Sequence, residues 1–288
     1  MGPFHPGELA VQRRMGQDGV AAKVGRTIRA GMPPVAAEFL AAQPMVVLAA
    51  ADGDGRLWAS GLTGTPGFVR VADDTSIVLA ARPVDGDPLA AALSVPARIG
   101  MIALQPDKRR RMRVNGRSAP HDEGLAITVE QVYSNCPKYI ARREVVTHLE
   151  GHIIGESRRG VELDSAQRTA VAAADTFFVA TAEAGGDSDA SHRGGNPGVL
   201  RVLSPTRLRW PDYRGNSMFM TLGNLLTHSR CGLLIPDCAP GANVAGSQFT
   251  SAVPVSCSAP PVAQSGISNP QREWVRRLPS VMNIELPR

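Results

Sequence analysis

Aromatic residues are scarce in this chain: Phe, Tyr and Trp together make up 5% of its 288 residues. A basic surface interleaved with aromatics, on which nucleobases stack, is therefore missing, and nucleic acid is not an expected partner. The four cysteines, Cys136, Cys231, Cys238 and Cys257, include no Cys-x-x-Cys pair and stand at no metal-ligand spacing with histidine. That argues against a zinc module and predicts free thiols in a reducing compartment. Long apolar runs are absent as well. Met45–Ala51 is among the longest, well short of the ~20 residues of a membrane-spanning helix. The arginine-rich N-terminus lacks the apolar core of a signal peptide and carries Glu8 and Asp18, so the expected location is cytoplasmic, with no membrane partner. No Ser-His-Asp order and no paired-carboxylate signal stands out, so no catalytic residue is named. His148-Leu149-Glu150-Gly151-His152 has two histidines at helical spacing, but its order is not that of a zinc-protease helix and Gly151 weakens the helix; no metal is expected.

Glycine (29) and proline (23) are plentiful, which favours short strands and many turns over long helices. A hydrophobic fraction of 43% is that of a globular chain, and the length accommodates two domains. The net charge of +5 suits an anionic ligand without specifying one.

One segment occurs twice. Ala59-Ser60-Gly61-Leu62-Thr63-Gly64-Thr65-Pro66-Gly67-Phe68-Val69-Arg70-Val71 returns 131 positions later as Ala190-Ser191-His192-Arg193-Gly194-Gly195-Asn196-Pro197-Gly198-Val199-Leu200-Arg201-Val202, identical at seven of thirteen positions without a gap. A repeat of that period means two copies of one supersecondary unit. Gly61 and Leu62 give way to His192 and Arg193, so a site could have been kept in the second copy alone.

The pattern predicts a helix over residues 7–30, with Val20, Val24 and Ile28 on one face, and a short helix over 35–42. Strands follow from Met45, with a hairpin turn at Asp52-Gly53-Asp54-Gly55, where glycine supplies positive φ. Asp87-Pro88-Leu89 opens a short helix. Charged and alanine-rich residues 141–174 link the copies, helical in part. The second copy starts at Thr176-Phe177-Phe178, and residues 217–226 take the place of the short helix. The expected division is an N-terminal helical segment over 1–43, a first barrel over 44–140, the linker over 141–174, a second barrel over 175–250, and an irregular, disordered tail over 251–288.

Several strings resemble a known family. Asp175-Thr176-Phe177-Phe178, Ser191-His192-Arg193-Gly194-Gly195 and Gly215-Asn216-Ser217-Met218-Phe219-Met220-Thr221-Leu222-Gly223-Asn224-Leu225 look like the pyridoxamine 5′-phosphate oxidase-like FMN-binding split barrels. Asn135-Cys136-Pro137-Lys138-Tyr139-Ile140 and Phe4-His5-Pro6-Gly7-Glu8 are similar to a longer, tandem-barrel bacterial branch. The resemblance covers roughly residues 4–236. It implies a mainly β (α+β) fold: two tandem split β-barrels of six strands each, with an N-terminal helix and a helical linker. It also implies FMN between two barrels, in one chain or in a homodimer, and a flavoprotein oxidoreductase with an unidentified small-molecule or protein redox partner. The alternatives are a non-catalytic cofactor- or partner-binding barrel and a haem-binding relative using His192 or His148.

The implied site residues have chemistry that fits. Arg193 can grip a phosphate through two parallel charged hydrogen bonds, with Ser191 adding a hydroxyl. The amides of Asn216 and Asn224, with Ser217, suit ribityl hydroxyls and flavin edges. Lys138, with Asn135 and Tyr139, can place a cation near the reduced ring and an aromatic against it. Each also has a plain reading: a solvated strand-end arginine, a turn serine, a turn asparagine, a helix cap, an exposed lysine. Simpler members of the family carry basic residues where this chain has Gly198 and Phe219, so the phosphate site has fewer cations than the pattern predicts. Lys108-Arg109-Arg110-Arg111-Met112-Arg113 is the most basic run. It reads as an exposed edge strand guarded by charge, with an anion-binding face as the minor reading.

Overall fold

A computed structural model of the chain describes residues 2–122, 124–143, 160–213, 215, 217–236, 255–258 and 282–285. The predicted N-terminal helix is two helices, α1 (Pro6–Arg14) and α2 (Asp18–Gly25). They part at Gly16, whose φ of 62° no helix permits. Thus the four-residue apolar spacing holds within each piece but does not make one element. His5 caps α1 through its ring, Pro6 opens it, and Glu8 closes a capping box by accepting the His5 backbone N–H. α3 (Pro34–Ala41) follows.

The first copy is a seven-stranded antiparallel sheet of β1 (Met45–Ala51), β2 (Leu57–Thr63), β3 (Val69–Asp73), β4 (Ser76–Leu79), β5 (Ala97–Gln105), β6 (Arg110–His121) and β7 (Gly124–Ser134), in the order β2-β1-β5-β6-β7-β4-β3. α4 (Pro88–Ala92), capped by Asp87, lies between β4 and β5. All seven strands contribute side chains to one core, including Leu48, Leu62, Val69, Ile77, Met101, Val114 and Ile127. The sheet is therefore curled around its own interior rather than flat. After α5 (Ser165–Ala173), the second copy has β8 (Thr176–Ala182), β9 (Ser188–Gly194), β10 (Arg201–Ser204), β11 (Arg207–Trp210), α6 (Met220–Thr227) and β12 (Arg230–Leu234). β13 (Val255–Ser258) and β14 (Met282–Glu285) complete the order β10-β11-β14-β13-β12-β8-β9. Read in reverse, this is the order of the first sheet.

The mainly β architecture, with N-terminal helices and a helix between the copies, is the one expected. Two details are corrected. Each sheet has seven strands rather than six, and the stretch expected as an irregular tail supplies β13 and β14, the counterparts of β6 and β7. Residues 144–159, with His148 and His152, lie outside the described residues.

The two copies share a backbone conformation at the turn glycine. Gly67 and Gly198 have φ of 101° and 85°. A lysine at 198 would sit in a left-handed conformation, which gives the departure at Gly198 a backbone reason. The copies also meet reciprocally. A Cβ on Gly100 of β5 would lie 2.6 Å from the Ala190 N of β9, while one on Gly232 of β12 would collide with Leu57 of β2. Arg98 pairs with Asp187 in the β8–β9 turn, and Arg230 donates to the Asp54 and Gly55 carbonyls in the β1–β2 turn. The halves are thus related by an approximate two-fold inside one chain. β1 shows the consequence for sequence: Val46, Leu48 and Ala50 enter the first core, whereas Met45, Val47 and Ala49 face the second copy. Burial on both faces requires an unbroken apolar run.

Candidate functional site

The Lys108–Arg113 run is not at an edge, because β6 is paired on both sides, to β5 and to β7. Met112 and Val114 enter the first core, as alternation requires. Arg111 and Arg113 therefore emerge on the opposite face, which the second copy covers. Sequence reasoning weighed this run and preferred the edge. The overlooked signal was the twelve-residue strand around it, too long and too apolar on its other face for an edge.

Arg111 and Arg113 meet β9 across a cavity of about 160 Å³ between the halves. Its wall also includes Asn135, Cys136, Lys138 and Tyr139 after β7, His192 and Arg193 on β9, and Tyr213 and Ser217 before α6. Among the described lining residues there is no carboxylate. Five of the residues expected from sequence are thus brought together: Arg193, Lys138, Asn135, Tyr139 and Ser217. Asn216 lies outside the described residues.

Two expected residues stand behind the wall instead. Ser191 is fully buried, accepts from Arg113 Nη2 at 2.6 Å and shares a hydrogen bond with Thr221 Oγ1 at 2.8 Å. Asn224 donates to Thr181 Oγ1 and Asp189 Oδ2, and its Oδ1 accepts from His5 Nε2 at 2.8 Å. Two of the strings that carried the resemblance therefore touch. Gly7 and Gly223 let α1 and α6 cross closely, since a Cβ on Gly223 would lie 2.6 Å from Glu8 N. Glu8, 2% exposed, joins Asp189 and Arg113 in this buried layer. Burial, then the Asp189 charge, raises the Glu8 carboxyl to about 8, so it carries a proton at neutral pH. For Arg113, burial works against the charge, but Tyr133, Asp189 and Glu8 outweigh it and its pKa rises.

Arg113 Nε has no hydrogen-bond partner among the described residues, and in the front layer more donors are left over, beside one spare acceptor, Asn135 Oδ1. Arg111 Nη1 donates to His192 Nδ1 at 2.8 Å. A guanidinium has no acceptor to offer, so His192 holds its one proton on Nε2. Burial, and then Arg111 and Arg193, push the His192 pKa well below its ordinary value, so the ring is neutral. Burial, and then Arg113 and Arg193, lower that of Arg111 to about 10. Arg193 pairs with Asp212, whose side chain is fully buried. Even so, Arg193 Nε and Nη2, Arg111 Nε and His192 Nε2 are buried with no hydrogen-bond partner among the described residues. Buried donors are rarely left unsatisfied, since each costs about 1–3 kcal/mol. Four such donors fall on three neighbouring side chains, two of them like-charged guanidiniums, and their chemistry is the kind an anion satisfies. Tyr139 and Tyr213 stack at 4.9 Å on the same wall, each partly exposed.

No protein-family model matches this chain, and no curated protein matches it. Among solved structures it is similar to a candidate pyridoxamine 5′-phosphate oxidase from Lactobacillus delbrueckii (15% identity, 44% of this chain and 93% of that one, TM-score 0.31). It is also similar to HupZ from Group A Streptococcus (13% identity, 34% of this chain and 89% of that one, TM-score 0.27). Likenesses of that depth fix neither a ligand nor an activity.

Proposed function

We propose that the chain is an FMN-binding flavoprotein of the oxidoreductase class, with the cofactor phosphate taken up in the cleft between its halves. The observation that carries this reading is the set of partnerless buried donors on Arg111, His192 and Arg193 around one cavity. A phosphate monoester offers acceptors enough for all of them. The enclosed volume of about 160 Å³ suits that group alone, since a pocket enclosing a whole ligand of this size runs to roughly 300 Å³ or more. Asn135, Lys138, Tyr139 and Ser217 form the rest of the wall and suit the polar chain and ring beyond the phosphate. Ser191 and Asn224 act from behind, by fixing Arg113, Thr221 and α6.

When bound, FMN supplies electron or hydride transfer at its N5. The protein's part is to hold the phosphate, neutralise its charge and keep His192 as a neutral donor. Both walls come from one chain, so binding needs no second copy; a homodimer remains compatible. Haem ligation through His192 is disfavoured, because an iron needs its Nε2 lone pair, where Arg111 makes the ring carry its proton.

The absorption spectrum of purified full-length protein, before and after incubation with FMN and desalting, tests this. Flavin bands retained after desalting are expected. A Soret band, or a colourless preparation that cannot be loaded, overturns the reading.

A further inference from the structure

Cys136 lines the same cavity, half-buried and not in a disulfide. Its surroundings are strongly cationic: Arg111, Lys138 and Arg193 share the wall. His192, 5% exposed, lines the same cavity, and its Nε2 has no hydrogen-bond partner among the described residues. A thiol so placed has anionic reaction partners drawn in, while a neutral partner gains nothing from the field.

We infer that Cys136 is a modification site for low-molecular-weight disulfides that carry carboxylates, of which glutathione disulfide is an example. The Cys136 proton passes to solvent and its sulfur attacks one sulfur of the reagent. The reagent S–S bond breaks as the new one forms, and the other half departs as a thiolate, so the reagent is the oxidant and no other is needed. The adduct's carboxylates then occupy the donor wall, so modification and anion binding exclude each other. This inference needs the cationic cleft but does not depend on flavin being its ligand.

The test uses the full chain and its Cys136→Ser variant with two reagents, the dianionic 5,5′-dithiobis(2-nitrobenzoate) and the neutral 4,4′-dithiodipyridine. Rates are normalised to a small thiol in free solution. A phase missing from the variant is expected, about tenfold faster with the dianion than with the neutral reagent. Inorganic phosphate and the exposed-site variant Lys138→Gln should both slow that phase. Mass spectrometry after glutathione disulfide should place an adduct on Cys136 that the Cys136→Ser variant lacks. Identical kinetics in wild type and Cys136→Ser, or a Cys136 phase indifferent to reagent charge, overturns the inference. Phosphate slowing the phase in a protein that binds no FMN would sustain it while removing the flavin reading.

Discussion

β2 and β9 are the same strand in two settings. Each pairs with its preceding strand over seven residues in the same register, so that Leu62 lies opposite Val46 and Arg193 opposite Phe177. Leu62 fills the first core. Its counterpart, Arg193, spends that position on a buried pair with Asp212. Gly61 leaves the inter-copy face plain, whereas His192 packs edge-on to Phe178 and accepts from Arg111. Ser60 donates to Asp87 at the start of α4, whereas Ser191 ties Arg113 to Thr221 at the start of α6. A leucine is the less costly occupant of such a position, since burying two charges costs several kcal/mol that a hydrophobic pair would not. The first copy shows what the strand needs for folding. The surplus in the second copy is what points to a ligand.

The comparison breaks most visibly if Arg193 is given its counterpart's residue. Arg193→Leu strands the Asp212 carboxylate and should cost about 3–5 kcal/mol in denaturant unfolding. Adding Asp212→Leu should restore most of it and leave the protein unable to bind FMN. A single variant as stable as wild type would mean that the pair is not buried as described.

α1 packs on α6, with no equivalent helix over α4 among the described residues, which brings Glu8 into the comparison. The folded pKa of Glu8 is raised to about 8. The folded chain therefore holds a proton that the unfolded chain releases near 4.5. Stability from this group is complete below pH 4.5 and lost as pH rises through 8, by roughly 5 kcal/mol. Glu8→Gln should flatten that decline, read from unfolding midpoints across pH; a parallel profile would show that Glu8 is ionised in the fold.

Arg111→Gln touches the ligand wall without stranding an acid. It should weaken FMN binding at least about tenfold, or 1.4 kcal/mol, by titration. The smallest effect belongs to the quasi-symmetric contact at the turns. Arg98→Ala removes an exposed pair with Asp187 and should cost less than about 1 kcal/mol; a larger loss would make that contact essential to how the halves dock.

Much of this arrangement was legible. Seven identities over thirteen residues located the hairpin that holds Gly67 and Gly198 at positive φ. The unmatched His192 and Arg193 marked the copy with the charged cleft. Asn135, Lys138, Tyr139 and Ser217 were legible only through whole strings, because no local rule brings a segment after β7 against one before α6. Arg111 was misplaced since alternation says which residues share a face, not what covers it. Ser191 and Asn224 lie behind the cavity wall, a placement sequence does not show, because a buried network and a binding site use the same polar side chains. The break at Gly16 and the tail strands were missed for opposite reasons: apolar periodicity survives a one-residue interruption, and four-residue strands leave almost none.

The central claim is that the wall of spare donors selects a phosphate. Flavin fluorescence titration of the full-length protein with FMN and with riboflavin, which differ in that group alone, tests it directly. The account predicts saturable quenching with FMN and binding of riboflavin weaker by about a hundredfold or more. Equal affinities for the two, or no binding of either, would contradict it.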